Sequence, residues 1–166
     1  MIGWLLDTNV IAEIISPGGS ARVKAWASGQ DEATLHLSIL TIAEYDKGIA
    51  NLPDSAPRRA VYMTTRDSLA ARFGARLLPV SNAVVRRWGL ISGTVRRDTG
   101  HPPPVIDTLL AATALEYDLY LATRNIRDVR HSGAAVFNPW EDDLSGSPIL
   151  PRQRQQDIRS PRPARP

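Results

Sequence analysis

The segment that decides the fold opens the chain as an apolar run ending in a carboxylate, Ile2-Gly3-Trp4-Leu5-Leu6-Asp7. Short continuous apolar runs of this kind are typical of buried strands. Residues 8–15 can then form a helix that stops at the breaker cluster Ser16-Pro17-Gly18-Gly19. A buried strand followed directly by a helix indicates the start of a βαβ unit.

The alternation of strand and helix continues along the chain. Further strands are expected at 34–38, 76–80, 119–122 and 134–137, and further helices at about 20–28, 40–51, 55–73, 82–97 and 104–117. The triple proline at 102–104 forces an extended segment and places Pro104 near the first turn of the last helix. The pattern predicts an α/β fold with a central, mostly parallel sheet of four to five short strands flanked by helices.

Length and charge divide the chain into two unequal parts. Its 166 residues suit one domain, which we place at 1–144, followed by a Pro/Arg-rich tail at 145–166 that we expect to be disordered. The tail holds five Arg and one Asp, a net charge of +4, whereas residues 1–144 hold 15 Lys and Arg against 16 Asp and Glu, a net charge of −1. The domain therefore lacks a general basic surface, and RNA binding must depend on local clusters.

Several classes of protein are disfavoured by composition. The chain has no cysteine, which excludes disulfides and cysteine-ligated zinc. Its first residues lack the basic region and long apolar stretch of a signal peptide, and no later stretch has the apolar length of a membrane span. We expect a cytoplasmic protein without membrane contact.

Two aspartates lie at positions that suggest a catalytic or metal-binding role. Asp7 ends the first strand, where ligand sites of parallel sheets lie, although an N-cap for the following helix would explain it equally well. Asp107 lies on a helix face whose other members are apolar, namely Leu110, Ala111, Ala114 and Leu115. Because a carboxylate beside apolar groups needs a cation or a strong donor, we favour a functional role for Asp107 over stabilisation by the helix dipole.

Three more polar residues become candidate site residues only if they lie close to Asp7 and Asp107. Glu44 lies near the start of the 40–51 helix, where a solvated glutamate would be ordinary. Asn125 and Asp128 follow the 119–122 strand, where a capping turn is the alternative. In a parallel sheet, strand ends and helix starts can converge on one edge, and carboxylate and amide oxygens suit Mg²⁺. Such a metal can activate water and stabilise charge on a phosphodiester.

Four segments together resemble PIN-domain ribonucleases, in particular the VapC-like toxins of bacterial toxin–antitoxin pairs. They occur in the family's order and at compatible spacing over about residues 1–140: Leu5-Leu6-Asp7-Thr8-Asn9-Val10, Thr41-Ile42-Ala43-Glu44, Asp107-Thr108-Leu109-Leu110-Ala111-Ala112-Thr113-Ala114 and Thr123-Arg124-Asn125-Ile126-Arg127-Asp128. The resemblance implies a PIN-like fold, hydrolysis of RNA, an antitoxin as inhibitor, and a homodimer or toxin–antitoxin hetero-oligomer.

The resemblance also implies roles for individual residues. Asp7, Glu44 and Asp107 would form a Mg²⁺ site that could also accept Mn²⁺, and Asn125 or Asp128 would complete it. In many relatives the position of Asn125 is Asp, so the amide lowers the negative charge of this site. We expect Asp7 and Asp107 to hold the metal directly and Glu44 to orient or deprotonate the attacking water.

Phosphate contacts are expected from three arginines after the fourth strand, Arg124, Arg127 and Arg130. Two other functions stay open. An RNA- or protein-binding module with an impaired metal site would account for Asn125. A phosphohydrolase with Asp7 as nucleophile is a weaker match, because the second Asp that such enzymes place two residues later is Asn9 here.

Overall fold

The computed structural model describes residues 2–142 and contains five strands and seven helices within them. The strands are β1 (Trp4–Leu6), β2 (Leu35–Ser38), β3 (Leu77–Leu78), β4 (Tyr120–Ala122) and β5 (Val136–Phe137). The helices are α1 (Thr8–Ile15), α2 (Ala21–Ser28), α3 (Ile39–Asn51), α4 (Pro57–Phe73), α5 (Asn82–Thr99), α6 (Val105–Glu116) and α7 (Ile126–Val129).

The five strands form one sheet in the order β3-β2-β1-β4-β5, and every neighbouring pair is parallel. In the register, Leu6 at the end of β1 lies opposite Leu37 of β2 and Ala122 of β4. The carboxyl ends of these three central strands therefore reach the same edge of the sheet. The expected α/β fold with a parallel sheet is confirmed.

Apolar side chains cover both faces of the sheet. Leu5 and Leu121 pack with the buried residues of α5 and α6, whereas Trp4 and Leu6 pack with those of α1 and α4. Successive side chains of a strand point to opposite faces, so β1 joins two cores at once. On the second face, the ring of Trp4 contacts those of Trp26, Tyr120 and Phe137 at centroid distances of 5.2–5.5 Å.

Several expected elements differ from the observed ones. β3 has two residues instead of the five expected at 76–80. The 3₁₀ turn at 74–76 includes the first of these five, and residues 79 and 80 lie beyond the end of the strand. Pro104 is the N-cap of α6 and lies one residue before its first turn. The single-turn helix α7 was not expected, since residues 125–128 suggested only a capping turn.

Two further expectations concern membrane contact and the tail. Within residues 2–142, no helix has both the length and the apolar character needed to cross a bilayer. The domain boundary at 144 and the tail at 145–166 lie outside the described residues.

Candidate active site

The candidate site lies at the carboxyl edge of two neighbouring central strands, β1 and β4. Asp7 directly follows β1 and Thr123 directly follows β4. The Asp7 amide donates a hydrogen bond of 3.0 Å to the carbonyl of Ala122, which ties the two strand ends together. This is the edge at which parallel sheets bind ligands.

Asp7 is buried, with only 6% of its surface exposed. It occupies the N-cap position of α1, but its side chain makes no capping hydrogen bond. One carboxylate oxygen, Oδ2, instead accepts hydrogen bonds of 2.6 Å from the Thr123 hydroxyl and from the Asn9 amide. Helix capping therefore does not account for this aspartate.

Burial raises the pKa of the Asp7 carboxyl above its ordinary value of 3.8. The negative charges of Asp107 and Glu44 raise this pKa further, while the hydrogen bond from Thr123 and the amide of Thr8 oppose the rise. Asp7 thus lies in a negative field contributed by two carboxylates from other elements. A bound cation would compensate that field.

The raised pKa leads to a prediction for the metal-free protein. Asp7→Asn is expected to raise Tm at neutral pH by roughly 2–4 °C, the change that about 1 kcal/mol produces in a domain of this size. The folded state keeps the Asp7 proton to a higher pH than the unfolded state. Stability is therefore lost as pH rises from the ordinary pKa through the raised one. Asparagine removes this loss.

Thermal unfolding in EDTA at several pH values measures the effect. The difference between the variant and the wild type should vanish in acid, where Asp7 is protonated in both states. Asp54→Asn is the control, since this carboxyl is 98% exposed. A lower Tm for Asp7→Asn at neutral pH would contradict the electrostatic account.

Glu44 is half-buried on α3, and it is held by a residue next to Asp7. The Thr8 hydroxyl donates a short hydrogen bond to Oε2 of Glu44 and lies 2.9 Å from the hydroxyl of buried Thr41. The first turn of α1 therefore connects Asp7 to Glu44. Glu44 is therefore a partly exposed glutamate whose carboxylate is held by a hydrogen bond from Thr8.

Asp107 lies half-buried in the first turn of α6, and the four apolar residues of its stripe are all buried. The Asn125 amide nitrogen donates a hydrogen bond of 2.8 Å to Oδ1 of Asp107. An ionised carboxylate can only accept, so the amide must present its nitrogen to Asp107. Asn125 occupies the N-cap position of α7, yet its side chain does not cap that helix.

The other sequence candidates are less closely involved. Asp128 is exposed, and among residues 2–142 its carboxylate has no hydrogen-bond or ion-pair partner. Arg124 forms a 3.0 Å ion pair with Glu13 and lies 4.1 Å above the ring of Trp140. The other two arginines are exposed, and Arg130 donates a 2.9 Å hydrogen bond to the ring of His131.

Three residues of the site received no role from the sequence, namely Thr8, Asn9 and Thr123. Each donates a hydrogen bond to Asp7 or Glu44. The available signal was the run of polar residues directly after a buried strand, which occurs at 7–9 and again at 123–125. That signal marks the sheet edge but does not say which side chain contacts which.

The donor set fits a hydrated divalent cation. Mg²⁺ takes oxygen ligands and keeps several waters when one or two carboxylates bind it, and Asp7, Glu44 and Asp107 offer carboxylate oxygens. Within the described range 2–142, no three His, Cys, Asp or Glu side chains form a ready-made metal-binding group. The chain therefore presents separate carboxylates around Asp7. The negative charge of Asp7 itself is unfavourable in this position without a cation.

Comparisons with known proteins agree with the fold. The PIN domain family model matches residues 4–132. The toxin FitB of Neisseria gonorrhoeae is 33% identical over 138 residues, which span 83% of this chain and 99% of FitB. The VapC ribonuclease Y4jK of Sinorhizobium fredii is 30% identical over 138 residues, which span 82% of this chain and 97% of that protein.

Solved structures give the same result. The crystal structure of FitAcB from Neisseria gonorrhoeae superposes with a TM-score of 0.73 at 32% identity, covering 83% of this chain and 99% of that one. A structure of FitAB bound to an IR36 DNA fragment superposes with a TM-score of 0.75 at 30% identity, covering 86% and 99%. This chain belongs to the PIN-domain family.

Proposed function

We propose that this protein is a Mg²⁺-dependent endoribonuclease and the toxin of a toxin–antitoxin pair, with Mn²⁺ able to replace Mg²⁺. The observation that carries the proposal is a hydrogen-bond network at the carboxyl edge of the sheet that links three carboxylates from different elements. Thr123 bonds to the buried Asp7 and to the backbone of Asn125, and the side chain of Asn125 bonds to Asp107. Thr8, the residue after Asp7, bonds to Glu44. The names of its relatives, a toxin and a VapC ribonuclease, support the same activity.

Each side chain of the site has a distinct task in this proposal. Asp7 and Asp107 hold the metal, which supplies Lewis-acid stabilisation of the negative charge on the phosphodiester when bound. Glu44 orients the attacking water or takes its proton, and Thr8 fixes one oxygen of Glu44 for that task. Asn125 orients Asp107 from outside, as outer ligands often do. Asp128 acts from the same outer layer.

The proposed partner is a cognate antitoxin, and the assembly is a homodimer or a toxin–antitoxin hetero-oligomer. A groove between α1, α3 and α4 opens beside Thr8 and Glu44 and is lined largely by apolar groups, including Tyr45, Tyr62 and Leu69. An antitoxin segment in this groove would cover Glu44 and keep RNA from the site. The FitAB structure, with which this chain shares 30% identity, supports a two-protein assembly.

Cleavage of a mixed RNA pool tests the proposal. Purified wild-type protein is incubated with Mg²⁺, with Mn²⁺ and with EDTA, beside Asp7→Asn prepared in the same way. We expect cutting only by the wild type and only with metal, since a contaminating nuclease would cut in both preparations. A folded, metal-supplied wild type that leaves the pool intact would favour an RNA- or protein-binding module, the function that the Asn125 amide suggests.

A further inference from the structure

The loop after β4 places one arginine directly beside the candidate site. Arg124 follows Thr123, whose hydroxyl donates a hydrogen bond to Asp7. The Arg124 amide donates a hydrogen bond of 3.3 Å to Oδ1 of Asn9, and the amide nitrogen of the same Asn9 side chain donates to Asp7. The backbone of Arg124 is therefore held close to the buried carboxylate from both of its chain neighbours in this network.

The guanidinium of Arg124 is held by two side chains that the sequence did not single out. Its Nη2 donates to Oε1 of Glu13 at 3.0 Å, and its central carbon lies 4.1 Å from the centre of the Trp140 ring. Glu13 is itself fixed, because its other oxygen accepts a hydrogen bond of 2.6 Å from the amide of Ser20. Trp140 follows β5, the strand that pairs with β4, and its amide donates to the side chain of Asn138.

Most hydrogen-bond donors of this guanidinium remain available to a ligand. An arginine side chain has five N–H groups, and within residues 2–142 Glu13 accepts from one of them while the other four have no acceptor. Stacking on a ring leaves these groups free, because they lie in the plane of the guanidinium. The Arg124 side chain is 53% exposed. Solvent can therefore reach the donors, and so can a ligand.

The restraint of Arg124 suits ligand binding better than it suits stability. An ion pair as exposed as this one contributes little to the free energy of unfolding. A side chain that is already held in place loses less conformational entropy when a ligand binds. Among the three arginines expected to contact phosphates, Arg124 is the one whose guanidinium contacts two other elements within residues 2–142. The planar fork of an arginine matches the oxygens of a phosphate group.

We infer that Arg124, positioned by Glu13 and Trp140, binds an RNA phosphate beside the metal-binding carboxylates. Glu13 lies six residues after Asp7 along α1, which corresponds to about 9 Å at a rise of 1.5 Å per residue. The phosphate bound by Arg124 is therefore a neighbour of the one that reacts beside Asp7. The inference rests on the proposed function, because it assigns a phosphate contact of the same substrate.

The test measures RNA binding without cleavage. The full chain is titrated into a fluorescein-labelled 20-nucleotide oligouridine in EDTA, and anisotropy is recorded at several KCl concentrations. The variants R124Q, R124K and E13Q are compared with the wild type, and thermal unfolding checks that each is folded. R72Q is the matched control, because Arg72 is also exposed and also forms a 3.0 Å ion pair, with Glu32. Glu32 lies just before β2 and thus at the opposite edge of the sheet.

We expect R124Q to bind about tenfold more weakly near 100 mM KCl, the loss of a hydrogen bond between charged groups. The slope of log K against log salt should fall in magnitude by about 0.7, the value for one phosphate contact on a single strand. R124K should keep the slope and bind more weakly than the wild type, because an ammonium group lacks the planar fork. A labelled 20-mer of mixed sequence should show the same losses, since a phosphate contact does not depend on the bases.

E13Q distinguishes a phosphate contact from a structural ion pair. Its side-chain oxygen can still accept the hydrogen bond from Arg124, while the negative charge beside the guanidinium is removed. We therefore expect E13Q to bind RNA at least as tightly as the wild type. R72Q should bind like the wild type.

Three results would overturn the inference. Unchanged affinity and salt dependence for R124Q would show that Arg124 does not bind RNA. Equal losses for R124Q and E13Q would show that the ion pair only holds α1 against the loop after β4. An equal loss for R72Q would show a general effect of charge. The nuclease proposal fails separately: a wild type that binds RNA through Arg124 but never cuts with Mg²⁺ would refute cleavage and leave the phosphate contact standing.

Discussion

Replacing Asp107 with asparagine is expected to lower metal-dependent RNA cleavage by about a thousandfold or more, equivalent to about 4 kcal/mol of transition-state stabilisation. The change removes one of the two carboxylates proposed to hold the metal, so that Asp7 would have to hold it without a second carboxylate ligand. Asparagine has the same shape as aspartate and keeps an oxygen that can accept the hydrogen bond from the Asn125 amide. The buried stripe of α6 is also unchanged, so the fold should be retained.

Single-turnover cleavage of the most rapidly cut RNA, together with thermal unfolding, checks this expectation. Asp54→Asn is the matched control, because it makes the same chemical change at a carboxyl that is 98% exposed and lies 3.5 Å from Arg59 in an ion pair. It should cleave at the wild-type rate. The metal assignment would be refuted if Asp107→Asn unfolded while activity per folded molecule persisted.

Mg²⁺ itself provides a second readout for Asp107. A ligand that binds only the folded state raises Tm as its concentration increases. Wild-type protein should therefore show a higher Tm with Mg²⁺ than with EDTA, and Asp107→Asn should lose most of that difference. A purely structural role for Asp107 would leave the Mg²⁺-induced shift unchanged, and this distinguishes it from metal binding.

The sequence predicted the sheet well because apolar runs bounded by breakers are local signals. The segments around β1, β4 and β5 showed apolar runs, and the segment around β2 showed the alternation of a half-buried strand. The register that aligns their ends follows from parallel pairing. Less could be predicted where two local preferences compete. Residues 74–76 form a 3₁₀ turn where the strand was expected to begin at residue 76, and the strand itself is limited to Leu77 and Leu78. The four residues of α7 are too few to show helical periodicity.

The candidate site was predictable at the level of position and not at the level of contact. Asp7 could be placed at a strand end, but capping and function were equally compatible with its sequence context. The structure shows no capping hydrogen bond and a contact with Thr123 instead, a residue 116 positions away in the chain. In the same way, the bond between Asn125 and Asp107 joins two elements whose relative position follows only from the packing of the whole domain.

Asn125→Asp is expected to lower the Kd for Mg²⁺ by about tenfold, which corresponds to about 1.4 kcal/mol in binding free energy. Asn125 now donates to Asp107 and adds no charge to the site. An aspartate would place another carboxylate against Asp107, which strengthens attraction for a divalent cation. Without metal, the two carboxylates would repel each other, so we expect Tm in EDTA to fall by roughly 2–4 °C.

The opposite effects of Asn125→Asp on stability and on metal binding separate a charge effect from a loss of structure. Thermal unfolding over a Mg²⁺ titration measures both in one experiment. Asn125→Ala is the control: it removes the hydrogen bond to Asp107 without adding charge, so it should not increase the affinity for Mg²⁺. If Asn125→Asp weakens Mg²⁺ binding as Asn125→Ala does, the amide is needed to orient Asp107. The site would then depend on the geometry of that hydrogen bond more than on its total negative charge.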